Sequence, residues 1–127
     1  MKYFLIRPLQ RMASTATERA LGIAVFIGDS ETDKRGNTWL YPNLVKLPHI
    51  PYDGKKAFHS PDGFQLGYNG SGPSDLSIAI CHFLGKPKLW LAFREQVIAR
   101  LNREKALDMS FDSIKLVLGK IERGEPI

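Results

Sequence analysis

The stretch from Ser60 to Asp75, Ser-Pro-Asp-Gly-Phe-Gln-Leu-Gly-Tyr-Asn-Gly-Ser-Gly-Pro-Ser-Asp, constrains this chain more than any other. Gly63, Gly67, Gly70 and Gly72 stand there with Pro61 and Pro73, and the run leads directly into an apolar helical pattern. So many residues of special backbone geometry dictate the path of the chain, as a strand-to-helix connection or a ligand loop would need. They name no chemistry by themselves.

The two sides of that loop read differently. Leu21 to Gly28, Leu-Gly-Ile-Ala-Val-Phe-Ile-Gly, is short and rich in β-branched and aromatic residues, which predicts a buried strand. A polar turn over Asp29–Asn37 closes it, and Thr38–Tyr41 resumes as a second strand in a hairpin. Leu44–Leu47 reads as a short third strand. Pro42, Pro48, Pro51 and Pro61 make residues 42–62 irregular or edge-like. The alternation of Phe64 to Tyr68 predicts one more short strand entering the glycine loop.

Beyond the loop the period becomes helical. Pro73 suits a first helical position, with Ser71 or Gly72 as the cap and Asp75 in the first turn. Leu76, Ala79, Ile80, Phe83 and Leu84 form its apolar face, and Gly85 suits the residue past its end. A second helix starts near Pro87, with Trp90, Phe93, Val97, Ile98 and Leu101 inward and Arg94, Glu95 and Arg100 toward water. A third starts at Ser110, with Asp112 in its first turn. Phe111, Ile114, Val117, Leu118 and Ile121 face inward, and Lys120, Arg123 and Gly124 close its end. The expectation is an α+β fold: a small antiparallel sheet of three or four short strands, followed by three helices packed on one face. At 127 residues the chain makes one domain over 21–127. Residues 1–20 read as a leader, flexible or upstream of a start at Met12.

Composition then narrows the function. A net charge of +5 points to an acidic partner, yet the lysines and arginines divide evenly between the two halves, with no basic arm. Cys81 is the sole cysteine, which leaves no disulfide framework and no cysteine-based zinc cluster and suits a reducing cytoplasmic setting. No apolar run reaches transmembrane length, so no membrane partner is expected.

The run Ser60-Pro61-Asp62-Gly63-Phe64, then Gly67-Tyr68, then Gly70-Ser71-Gly72-Pro73 with Leu76 and Ala79, resembles the signature of an uncharacterised family, the domain of unknown function numbered 6166. The likeness extends over residues 21–120, including the helix with Phe93, Val97, Ala99, Arg100 and Leu101. Leu66 stands where members carry tryptophan, and Asn69 where they carry a second glycine. Asparagine tolerates left-handed geometry, so only the change at Leu66 removes a stacking group. The resemblance implies a bacterial or phage setting and no established activity.

Each candidate site has a bland reading beside it. Gly70-Ser71-Gly72 at a helix start offers backbone donors to a phosphate. Gly67, Gly70 and Gly72, however, run Gly-x-x-Gly-x-Gly and lack the lysine of a P-loop, and Asp75 would repel an anion. Read structurally, Gly63, Gly67, Asn69, Gly70, Gly72, Pro73 and Asp75 make a self-capped turn. His59 and Asp62 are weak catalytic candidates, with Ser60 or Ser71 as a hydroxyl source. Cys81 and His82 are adjacent and so point about 100° apart on a helix. Asp29, Glu31 and Asp33 lack the spacing of a calcium loop, and His49, His59 and His82 that of a metal site. No cofactor is expected.

Binding is the stronger expectation. Lys55, Lys56, Phe58 and His59 interleave charge and aromatic surface, as single-strand nucleic-acid loops do. Arg94, Arg100 and Arg103 form a second basic group, and Trp39 with Tyr41 a candidate aromatic patch. Three readings follow. The first is a non-enzymatic phage or mobile-element protein that binds a host or viral macromolecule, an inhibitor of host defence such as an anti-CRISPR protein being one form. The second is a nucleic-acid-binding module, and the third a small hydrolase at the glycine loop. An edge strand of so short a sheet also offers pairing across a two-fold axis, so a homodimer is a further expectation.

Overall fold

A computed structural model describes residues 1–8, 23–48, 64–102 and 105–127, with backbone alone at Pro8 and over 39–46. Strands β1 (Lys2–Pro8), β2 (Ile23–Thr32), β3 (Thr38–Lys46) and β4 (Leu107–Ser110) form an antiparallel sheet in the order β3-β2-β1-β4. Phe4 stands opposite Ile27 and Ile6 opposite Val25, so their side chains share one face of the sheet. Helices α1 (Ser71–Phe83), α2 (Trp90–Gln96) and α3 (Phe111–Glu122) join that face in one core. The fold is α+β, as the change of period implied.

β1 lies within the segment expected to be a leader. Phe4 and Ile6 have no exposed surface and β1 pairs on both sides, with β2 and β4. A strand needs only alternate apolar residues to hold a face, so Phe4-Leu5-Ile6 suffices where a helix or a signal core would not. A start at Met12 would omit this strand. Residues 9–20 lie outside the described residues.

The hairpin differs in its details. β2 continues four residues past Gly28, and the turn shortens to residues 33–37. Asp33 Oδ1 accepts from the backbone N–H of Arg35 at 2.8 Å and of Asn37 at 2.9 Å, and these bonds pull its carboxyl below the usual range. Asp29 pairs with Lys2 at 2.9 Å, so Asp33 serves the hairpin turn and Asp29 the pairing of β1 with β2. The two strands expected over 38–47 are one: the partner of Ile27 is Val45 and that of Gly28 is Pro42, a bulge that absorbs Asn43 and Leu44. The bulge is also what lets Pro42 sit within a strand.

Phe64–Tyr68 forms no strand. Phe64 and Leu66 are buried as the alternation suggested, but the segment is held by single bonds rather than a ladder: Ile23 N–H donates to Phe64 O at 3.2 Å. β4 went unread because four residues are too few to show a period, and it interrupts the expected order of strands then helices.

α1 is buried throughout from Gly72 to Cys81, which explains its weak amphipathic contrast. Its end is closed by Gly85 N–H to His82 O at 3.1 Å and Lys86 N–H to Cys81 O at 2.8 Å, with Gly85 at φ +77°. The second helix is shorter than expected, flanked by 3-10 turns at Pro87–Leu89 and Ile98–Arg100. Phe93 and Ile98 are fully buried. Ser77 Oγ donates to Trp90 O at 2.5 Å and ties α2 to α1. α3 begins on its expected cap, where Ser110 Oγ accepts from Ser113 N–H at 3.1 Å, and Ile114 and Leu118 are buried.

Candidate binding site at the start of α1

Gly67 turns the chain into the loop with φ +88°, a conformation that only glycine adopts cheaply, and its N–H donates to Ile98 O at 3.0 Å. That bond fastens the loop to the Ile98–Arg100 turn. Tyr68 follows, 40% exposed, and its hydroxyl donates to Gln65 Oε1. A Cβ on Gly70 would stand 2.5 Å from the Tyr68 ring, so a side chain there would displace the tyrosine. Asn69 and Ser71 are exposed.

α1 starts at Ser71, two residues before the expected position, with extended Gly70 as its N-cap. Glycine offers no side-chain acceptor, and no acidic residue lies in the first turn. Pro73 is third in the helix and Asp75 fifth, where Asp75 is buried among the α1 residues. Asp75 therefore lies just past the first turn rather than in it. Ser74 Oγ donates back to Gly70 O at 2.7 Å.

Arg94 does not face water as expected. Its side chain is 18% exposed, and Nη1 donates to Ser74 Oγ at 2.9 Å. The guanidinium lies 5.7 Å from the centre of the Trp90 ring, one helical turn back, and Nη2 donates to Glu95 Oε1 at 3.4 Å. Nε is buried and accepted by no group among the described residues. A long stem laid across the α1–α2 contact keeps this charge beside the start of α1.

The structure thus gathers Gly67, Tyr68, Asn69, Gly70, Gly72, Pro73, Arg94 and, through the Gly67–Ile98 bond, the turn bearing exposed Arg100. Lys55, Lys56, Phe58, His59, Asp62, Gly63 and Arg103 lie outside the described residues, as do the side chains of Trp39 and Tyr41. The hydrolase reading at His59 and Asp62 therefore takes no support from this geometry. Gln65, Tyr68, Ser74 and Trp90 join the site without having been singled out for it. Gln65 and Tyr68 meet within the loop, whereas Ser74 and Trp90 reach the site only through the packing of α2 on α1, which their spacing does not signal.

Cys81 is a core residue. It has no exposed surface, and burial pushes its thiol up to about 12, far from the thiolate that nucleophilic chemistry requires. His82 beside it is exposed. Among the described residues no group of histidines, cysteines and acids is placed to hold a metal, and no helix is long and apolar enough to cross a membrane.

No curated protein and no solved structure matches this chain. A family model does, over residues 28–118, a span that holds the glycine loop, all of α1 and α2 and most of α3. The chain belongs to the family of unknown function DUF6166.

Proposed function

We propose that this protein is a non-enzymatic binding module for single-stranded nucleic acid, and that the loop at the start of α1 is part of its contact surface. The observation that carries the reading is the Gly67–Ile98 hydrogen bond, which sets exposed Tyr68 beside the turn of Arg100. Arg94 and the acid-free first turn of α1 lie on the other side of the same loop. An exposed ring supplies a stacking surface that accepts any base, and two guanidinium groups with helix-start amides supply phosphate contacts. The net charge of +5 agrees in sign.

Fluorescence anisotropy with labelled single-stranded DNA and RNA tests the reading. Two guanidinium–phosphate contacts would weaken binding about 7-fold between 50 and 200 mM salt. Tyr68→Ala should weaken binding at both salt concentrations, whereas Arg100→Ala should flatten the salt dependence. Absence of binding at low salt would refute the proposal. A host or viral protein with an acidic surface, as the net charge implies, a component of host defence included, would then be the partner to seek by affinity capture.

A further inference from the structure

The sheet ends on β4, and among the described residues no backbone group pairs with the outer edge of that strand. α3 folds directly back beside it: Ser113, Ile114 and Val117 line the same cleft of about 450 Å³ as Asp108 and Met109. Next to this cleft, on the outward side of α3, Leu116 is 62% exposed. Asp112 precedes it by four positions and Lys120 follows it by four, so the three form one stripe along the helix.

We propose that this edge is a self-association surface, and that a second copy of the chain pairs with it across a two-fold axis at Met109. Unpaired strand edges are templates for further pairing. An axis perpendicular to the sheet keeps the helices of both copies on one side, and it then requires residues of the same face to stand opposite one another. Met109 opposite the partner's Met109 meets that condition. It also sets Asp108, which already pairs with Arg7 at 2.8 Å, opposite the partner's uncharged Ser110. Centring the axis on Asp108 would instead oppose two carboxylates.

In the proposed dimer α3 lies antiparallel to its counterpart, with Leu116 near the centre. Asp112 then approaches the partner's Lys120, and Lys120 the partner's Asp112. The stripe is complementary to itself in charge, with an apolar residue at its midpoint. That arrangement selects a second copy over an unrelated partner.

Sedimentation velocity on the full chain from about 1 to 100 μM, where modest interfaces associate, should show a monomer converting to a dimer. Leu116→Lys should weaken the dimer at least about tenfold, since it places like charges at the centre of the contact. Asp112→Lys should weaken it, and the double variant Asp112→Lys/Lys120→Asp should restore it. Thermal melts of each variant confirm the fold. A chain that stays monomeric throughout overturns the proposal, as does a dimer whose affinity is indifferent to Leu116→Lys and to the charge reversal.

Discussion

Gln65 crosses Gly72 so closely that a Cβ at position 72 would stand 2.6 Å from both Cβ and Oε1 of Gln65. The Cβ of Gln65 is fixed to its backbone and cannot swing away. Gly72→Ala therefore displaces the loop from α1, at a cost of about 1–3 kcal/mol, the usual range for an overpacked contact. Chemical denaturation reads the loss. A change within a few tenths of a kcal/mol would show that the loop yields at no cost and does not hold this geometry.

Removing residues 1–11 should abolish cooperative unfolding. Among the described residues β1 alone connects β2 to β4, and it carries Phe4 and Ile6 into the core. Deleting one such buried aromatic costs about 3–5 kcal/mol, already a large part of a domain's stability. Circular dichroism of the truncated chain is the measurement. A melt as sharp as that of the full chain would make β1 dispensable.

Cys81 gives the protein a signature at alkaline pH. Its thiol is raised from an ordinary 9.0 to about 12 by burial. The folded state therefore keeps the proton while the unfolded chain releases it. The contribution is fully present below pH 9 and declines as pH rises toward about 12. Stability of the native chain should fall across that window more steeply than stability of Cys81→Ala. Parallel slopes would show that Cys81 ionises as freely folded as unfolded.

Ser110→Ala removes the acceptor for Ser113 N–H and should cost about 1 kcal/mol, as lost N-caps do. Thermal melts of Ser110→Ala and Ser110→Asp separate the causes. Aspartate keeps an acceptor and adds a favourable charge at the start of the helix, so it should hold the stability that alanine loses.

The fold class was legible because the hydrophobic period changes at the glycine loop, and the caps of α3 because Ser110, Asp112 and Gly124 each carry a local mechanism. What stayed hidden depends on distant partners. β4 is four residues long and means nothing until β1 stands beside it. β1 itself looked like a leader because its apolar run is brief. The start of α1 differs because proline and serine argue for a side-chain cap, whereas the helix begins after extended Gly70, which carries none, with Gln65 and Tyr68 close against Gly72 and Gly70. Of the site, the sequence showed the glycines and the arginines. That Arg94 reaches Ser74 rather than water follows from the packing of α2 on α1, which no spacing reveals.

The pairing of β1 with β4 also sets a schedule. Arg7 and Asp108, joined across those strands, are 101 positions apart. At about 5–20 residues per second, roughly 5–20 s separate their synthesis. Through that interval one edge of β1 waits without its final neighbour, and Phe4 without the face of α3 that will cover it. Closure of this sheet therefore waits until β4 and α3 have both been made, and the nascent chain is most exposed to aggregation just before that point.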